Sequence, residues 1–351
     1  MAYNEDTRKK IVQGRVLFFF EVLTVYFGIF LFMLIPRFLL PLLMDESTIF
    51  YGPVYYLLRA LAILLAVPVF LYFFNIIKTE LGKGGEIILE KDISPAAEHV
   101  GMFKIKQSNM KYQLLYGLLL LFLLFIPLDL LIYLLIPETL EYTANSLTAN
   151  PTDTYLMASY PLFLASVLII QTGVSIYEET LIRGFETKRG GDYFNKISAV
   201  FITSIQFGFM HFAIGQGIPL WFPFLWTFQA FLVGIILSLF IVNKKWLFPL
   251  IFAHAANNII SAHAIWNYLQ GNSFIGMVYT VYVPLLIISV LLLIWQFPRI
   301  RSSVKLGMEQ IKSYFAVDSS IKESDEDRTF RILLDLVLVV MIFFIAILLL
   351  V

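Results

Sequence analysis

The sequence predicts an all-α fold, a polytopic bundle of membrane-spanning helices. Of the 351 residues, 59% are hydrophobic and 14% are charged, whereas soluble domains average about 45–50% apolar and about 25% charged residues. The mean hydropathy is +0.82. The apolar residues also gather in runs of about 20, the length that a helix needs to cross the hydrocarbon core of a bilayer. Together these observations exclude an ordinary soluble domain.

Nine apolar runs are predicted to be spans, and eight is the alternative count. The first run follows a basic stretch but is too long for a signal peptide. Because no small-residue cleavage site follows it, we expect it to be retained. The fourth run is expected to continue as a helix past Glu178 and Glu179 toward Arg183. The predicted spans are 16–36, 54–77, 112–136, 155–177, 196–214, 220–243, 246–268, 275–297 and 330–351.

The chain divides on this basis into three parts. Residues 1–111 hold two spans and a polar stretch, residues 112–297 form the membrane-embedded core with the candidate site, and residues 298–351 hold a linker and the last span. The polar stretch 78–111 includes a short alternating run at 86–90 and is interpreted as a lid, a partner surface or a plain connector. The linker 299–328 carries apolar residues at helical spacing, which predicts an amphipathic helix on the membrane interface.

Lys and Arg are concentrated in alternate loops. They are present in the stretches after the second, fourth, sixth and eighth spans, and the loops 45–53, 137–154, 215–220 and 270–274 have none. Since cytoplasmic loops carry the excess of Lys and Arg, the N-terminus is predicted to be cytoplasmic and the C-terminus to be outside. The membrane would be the plasma membrane in a prokaryote and the endoplasmic reticulum in a eukaryote.

Charge and cysteine content exclude several functions. Lys plus Arg and Asp plus Glu are 25 each, so the formal net charge is zero. No basic stripe is present, and nucleic acid is not an expected partner. The absence of cysteine excludes disulfides, thiolate zinc sites and a cysteine nucleophile.

The fourth predicted span carries the first candidate motif, Glu178-Glu179-x-x-x-Arg183. An ionisable side chain inside a membrane is costly and is by default a candidate functional residue. Glu179 and Arg183 are four residues apart on a helix and share a face, which allows an ion pair. Glu178 points about 100° away, from 3.6 residues per turn, and is free to act as a general base. A salt-bridged helix end is the alternative interpretation.

Two histidine motifs accompany it. Phe207 precedes His211 by one helical turn, and its ring can shield the imidazole from water. His254 precedes Asn258 by one turn, so imidazole and carboxamide project side by side and can both donate to one oxygen, as an oxyanion hole requires. Asn257 is the alternative amide. His263, further along the same span, is interpreted as structural.

Other intramembrane charges are expected to pair between helices. They are Glu21, Arg59, Asp129 and Asp335, and the most economical pairing joins Arg59 to Glu21 or to Asp129.

The three motifs, in this order on successive membrane helices, resemble those of the CAAX protease and bacteriocin-processing (Abi) family, which includes the type II CAAX prenyl endopeptidases. The resemblance covers residues 170–260. It implies a glutamate-dependent intramembrane endopeptidase in which Glu178 and His211 hold and activate water, and His254 and Asn258 stabilise the oxyanion.

The resemblance also implies supporting roles for Glu179, Arg183 and Phe207, and a site that opens toward the cytoplasm and the inner leaflet. It implies that the enzyme needs no metal ion or other cofactor. The substrate would be a lipidated, prenylated CAAX-like protein that loses its C-terminal tripeptide, or a small membrane peptide, and the lipid bilayer would be the other partner.

Two alternatives from other classes stay open. Two histidines and a carboxylate match the ligand set of a catalytic zinc site, although the His-Glu-x-x-His pattern is absent. A non-catalytic membrane protein with the same fold, such as an immunity factor or adaptor, is the second alternative.

Overall fold

The computed structural model describes residues 5–82, 94–148, 151–212 and 218–350, and every regular element in these ranges is helical. Two short 3-10 helices, Pro151–Met157 and Ser319–Ile321, accompany eleven further helices. The eleven are α1 (Asp6–Leu43), α2 (Tyr51–Gly82), α3 (Pro95–Gly101), α4 (Gln107–Leu135), α5 (Glu138–Thr148), α6 (Tyr160–Tyr193), α7 (Lys196–Met210), α8 (Trp221–Lys244), α9 (Phe248–Leu269), α10 (Phe274–Tyr314) and α11 (Asp325–Leu350).

The predicted polytopic helical bundle is confirmed. Within the described ranges, seven helices are long and apolar enough to cross a membrane, namely α1, α2, α4, α6, α8, α10 and α11. The other two predicted spans correspond to α7 and α9. Helix α7 has only 15 residues, about 22 Å at 1.5 Å per residue, which is less than the roughly 30 Å of hydrocarbon. Helix α9 has 22 residues, and its histidines and asparagines lower its hydropathy.

Helix α6 lies at the centre of the bundle. Its N-terminal half, with Phe163 and Ile170, belongs to a buried cluster shared with α4, α8 and α9. Its second half, with Leu181 and Phe185, belongs to another cluster shared with α1, α2, α7 and α11. The residues from Glu179 to Thr187 form wide π-helical turns, and all nine are buried. Such turns are frequent at functional sites.

Glycines set the closest helix contacts around α6. A Cβ on Gly173 would lie 2.9 Å from the carbonyl oxygen of Tyr56, so α2 approaches α6 at backbone distance. A Cβ on Gly208 would lie 2.9 Å from the carbonyl oxygen of Thr227, so α7 and α8 are equally close. These contacts fix the heights of neighbouring helices relative to the Glu178 motif.

The two polar stretches have helical parts. In the stretch 78–111, α3 packs against α6. His99 Nδ1 donates a hydrogen bond to the carbonyl oxygen of Gly184 at 3.1 Å. Burial lowers the pKa of His99 to about 4. The run 86–90 lies outside the described residues. In the linker 299–328, the predicted helix is a direct extension of α10 to Tyr314, whose ring stacks on Phe201 at 4.1 Å between ring centroids.

The predicted pairing of Arg59 is wrong. Glu21 pairs with Arg189 at 2.6 Å, and Asp129 accepts hydrogen bonds from neutral side chains. The Arg59 guanidinium instead lies over the ring of Tyr177, 4.0 Å from its centroid. Asp335 has Arg15 as its partner, at 2.7 Å.

Candidate active site

Three helices bring the predicted residues to one cavity of about 760 Å³. Helix α6 contributes Glu178, the C-terminal end of α7 contributes Phe207 and His211, and α9 contributes His254 and Asn258. Glu179 and Arg183 lie behind the cavity wall, both fully buried. The structure thus gathers the four predicted catalytic side chains and places two of the supporting residues directly behind them.

Glu179 is the centre of a buried charge cluster. One of its carboxylate oxygens, Oε1, accepts a hydrogen bond from Arg183 Nη1 at 3.2 Å and another from His254 Nδ1 at 2.8 Å. A carboxylate only accepts, so Nδ1 carries the proton. Arg183 therefore holds Glu179, as the four-residue spacing predicted, and Glu179 in turn fixes the orientation of His254. This second contact, between residues 75 positions apart, does not follow from any spacing in the sequence.

The other nitrogen of His254 faces Glu178. The distance between His254 Nε2 and Glu178 Oε2 is 3.7 Å, and the Glu178 side chain is 19% exposed. Two consecutive glutamates thus reach the same imidazole at different nitrogens, one from the protein interior and one from the cavity. The separation leaves the Glu178 carboxylate and Nε2 close enough to act on the same small group.

His211 has a similar fixed orientation. It ends α7, with its backbone N–H on the carbonyl oxygen of Gly208. Its Nδ1 donates to the carbonyl oxygen of Phe207 at 2.7 Å, which leaves Nε2 for the cavity. The Phe207 ring lies 4.5 Å from the His211 ring and 6.4 Å from the His254 ring, measured between centroids. Arg183 stacks on the same phenyl ring at 3.9 Å, so Phe207 connects the buried cation to both imidazoles.

The two candidate amides have different surroundings. Asn258 is half-buried and lines the cavity. Asn257 is buried and also lines the cavity, and its side chain lies beside Asp129. Asp129 accepts from Ser261 Oγ and, at 3.3 Å, from Gln229 Nε2. Asn258 is thus the more exposed of the two amides, which favours it as the amide available to a substrate.

Sequence reasoning assigned no site role to several residues that line the cavity. Asp129 and Arg59 could be recognised only as intramembrane charges, because their surroundings come from helices distant in the sequence. Gln229, Ser261 and Tyr177 carry no sequence signal that separates them from other polar residues of a membrane bundle. His263 packs against Tyr160, Phe163 and Trp266 and does not line the cavity.

The cavity extends away from the basic loops. His254 lies six residues after the start of α9, about 9 Å from the end next to Lys245 at 1.5 Å per residue. From there the lining runs to the opposite end of the bundle, to Thr139 and Thr143 of α5 and to Asp153 and Tyr155. The expected opening toward the cytoplasm and the inner leaflet stays a prediction, and the lining residues show only that the cavity extends away from the basic end. The catalytic groups lie near that side, and the space in front of them leads the other way.

No group of three or more His, Asp or Glu side chains is arranged to hold a metal ion in the part of the chain that the structure describes. The Nδ1 atoms of His254 and His211 are both engaged in protein hydrogen bonds.

The fold and the cavity define a class of protein, an integral membrane helical bundle with a buried carboxylate–imidazole site. Residues 160–269 match the family model described as type II CAAX prenyl endopeptidase Rce1-like. This segment runs from the start of α6 to the end of α9 and contains all three motifs, so the resemblance to the CAAX protease family is confirmed there. No curated protein and no solved structure matched the chain.

Proposed function

We propose that the protein is an intramembrane endopeptidase of the CAAX-protease type, in which a glutamate and a histidine activate water. The observation that carries the proposal is that Glu178, His211, His254 and Asn258, from three helices, line one cavity. Hydrolysis of a peptide bond needs a general base and oxyanion donors placed around the same carbonyl group. The family match over residues 160–269 supports the same reaction class.

The proposed mechanism assigns the base to Glu178. Its partly exposed carboxylate would accept a proton from a water molecule, which His211 helps to hold through Nε2. The oxygen of the water would attack the carbonyl carbon of the substrate and form a tetrahedral intermediate. Glu178, now protonated, would give this proton to the leaving amine as the C–N bond breaks.

His254 and Asn258 would stabilise the intermediate. The Glu179 carboxylate on Nδ1 stabilises a positively charged His254, whose Nε2–H can donate to the developing oxyanion. The Asn258 amide would supply the second donor. Donors fixed before the reaction are worth most, because they need no reorganisation in the transition state. Arg183 balances the charge of Glu179 in the bundle interior.

The proposed substrate is a peptide held in the bilayer, either a prenylated protein that loses its C-terminal tripeptide or a small membrane peptide. The depth of the site within the bundle fits a substrate anchored by a lipid or an apolar segment. The protein would use no metal and would not bind nucleic acid. The peptide bond would be cut close to the basic end of the bundle, which the loop charges predict to be cytoplasmic.

The test uses the purified protein in nanodiscs and an internally quenched peptide in which a farnesylated cysteine is followed by three C-terminal residues. Cleavage of this peptide is measured. Glu178→Gln and His254→Gln are expected to lower kcat by at least 10³-fold, within the order of magnitude seen when key catalytic groups are removed. His263→Gln, a second histidine of α9 outside the cavity, is the matched control and should keep wild-type activity. Undiminished cleavage by a folded Glu178→Gln protein would refute the proposal.

A further inference from the structure

Arg59 differs from the buried arginines of the bundle. Arg15, Arg183, Arg189 and Arg331 each lie within 3.2 Å of a carboxylate oxygen, from Asp335, Glu179, Glu21 and Glu323 respectively. No Asp or Glu among the described residues lies within ion-pair distance of Arg59. The bundle pairs these four buried guanidinium groups with carboxylates, whereas Arg59, which is half-buried, has no such partner in the described part of the chain.

The surroundings of Arg59 are aromatic. Its guanidinium stacks on the ring of Tyr177, and its Nε is buried without a hydrogen-bond partner. Tyr55 and Tyr56 precede it within one turn of α2. Stacking on a phenol ring offsets only part of the free energy that removing an ion from water costs. An uncompensated cation inside a membrane protein therefore points to a ligand.

Arg59 also lines the same cavity as Glu178. Tyr177, on which it stacks, is the neighbour of Glu178 in the chain, and the contact between Gly173 and Tyr56 holds α2 at this height. A cation at the wall of a cavity of about 760 Å³ is placed to bind an anionic group of whatever occupies that space. The cavity falls within the roughly 300–1,000 Å³ typical of ligand sites.

We propose that Arg59 binds the C-terminal carboxylate of the peptide substrate and so selects substrates that are cut near their C-terminus. The inference rests on the proposed function. With three residues after the cleaved bond, an extended chain places its carboxylate about 10 Å beyond the scissile carbonyl, at roughly 3.3 Å per residue. A guanidinium recognises a carboxylate through two parallel hydrogen bonds. Arg59 is thus a substrate-binding residue and not a catalytic one.

The experiment measures binding without cleavage. Full-length Glu178→Gln protein in nanodiscs is titrated with three dye-labelled farnesylated peptides, identical except for the end: a free carboxylate, an amide, and an amide preceded by aspartate. We expect the free carboxylate to bind about 30-fold more tightly than the amide, which corresponds to about 2 kcal/mol at 1.4 kcal/mol per tenfold. Arg59→Gln should abolish the difference and Arg59→Lys should keep part of it. Arg299→Gln, outside the cavity, should leave it unchanged.

The inference is overturned if the protein with Arg59 intact binds the free-carboxylate peptide and the amide peptide equally tightly. It is also overturned if this protein shows no measurable binding of the free-carboxylate peptide. Equally tight binding of the aspartate amide overturns the C-terminal assignment in favour of an acidic side chain. Cleavage by the protein with Glu178 intact is measured separately. A carboxylate preference without cleavage refutes the proposed hydrolysis and supports the role of Arg59, whereas cleavage without a preference does the reverse.

The thermal unfolding temperature shows whether Arg59→Gln loses binding only because the variant is less stable. Because Arg59 has no carboxylate partner, Arg59→Gln should unfold at or above the wild-type temperature. Arg183→Gln, which removes a paired cation, should unfold at a lower temperature. An Arg59→Gln protein as destabilised as Arg183→Gln would show a structural role and overturn the inference.

Discussion

Glu179→Gln and Glu178→Gln, at the two adjacent glutamates of α6, should differ in their effect on the free energy of unfolding. Glu179 is fully buried and holds both Arg183 and His254 through one oxygen. The substitution keeps the shape of the side chain and removes its charge. Arg183 would then be a buried cation with no carboxylate in contact, and His254 would lose the acceptor that fixes its ring.

The expected magnitude follows from the burial. Removing one partner of a buried ion pair costs about 3–5 kcal/mol, mostly because the other charge is left uncompensated. Glu178→Gln should cost less than about 1 kcal/mol, since Glu178 is partly exposed and its nearest nitrogen is 3.7 Å away. Both variants should be inactive, but only Glu179→Gln should be substantially destabilised.

Reversible unfolding of the two variants in detergent micelles provides the measurement, with activity on the quenched peptide in parallel. The double variant Glu179→Gln, Arg183→Gln tests the cause, because directly paired residues are not additive. We expect it to lose at least 1 kcal/mol less than the sum of the single variants. Additive losses, or a Glu179→Gln protein as stable as wild type, would contradict the assigned ion pair.

Three further predictions concern other parts of the molecule. Burial lowers the pKa of His99 to about 4, against about 6.5 in the unfolded chain. Between these values the unfolded form binds more protons, so stability should fall by about 3 kcal/mol as pH drops from about 6.5 to 4, and His99→Gln should flatten this profile of unfolding temperature against pH. Gly173→Ala places a methyl group 2.9 Å from the Tyr56 carbonyl oxygen and should cost about 1–3 kcal/mol and reduce activity, whereas Gly276→Ala, with no atom within 4 Å of its Cβ, should be neutral in the same unfolding assay. Finally, 1,10-phenanthroline should leave peptide cleavage unchanged, and inhibition reversed by zinc would support a zinc enzyme instead.

The helical class and the four residues gathered at the cavity could be predicted because they rest on local patterns. Apolar runs of membrane-spanning length are contiguous in the chain, and each motif spans about one helical turn. The spacing of Glu179 and Arg183 is sufficient to predict their ion pair. The shared surface of Phe207 and His211 follows from the same helical period. The spans assigned to α7 and α9 had the right positions, although neither qualifies as a membrane-crossing helix on length and hydropathy together.

Contacts between distant helices could not be predicted. Glu179 and His254 are 75 residues apart, and no period within a helix connects them. The pairing of Arg59 was wrong for the same reason: choosing among several buried carboxylates requires the relative rotation of the helices. The direction of the cavity depends on how α5 and α6 pack at one end of the bundle. The resemblance to a family, which covers only the middle of the chain, carries no information about that packing.

The uneven hydropathy of the helices has a consequence for biosynthesis. Among the seven candidate spans, α6 has the lowest hydropathy, 1.5, while the other six range from 2.3 to 3.3. Charged residues at a helix centre oppose insertion by about 2.5–3.5 kcal/mol each. We therefore expect the helices that carry the motifs to enter the bilayer as a group, against α1, α2 and α4, which leave the ribosome earlier. Helices α1, α2 and α4 would thus assist the membrane insertion of the helices that carry the motifs. A chain without α1, α2 and α4 should therefore be inactive because it does not insert correctly, even though its catalytic residues are intact.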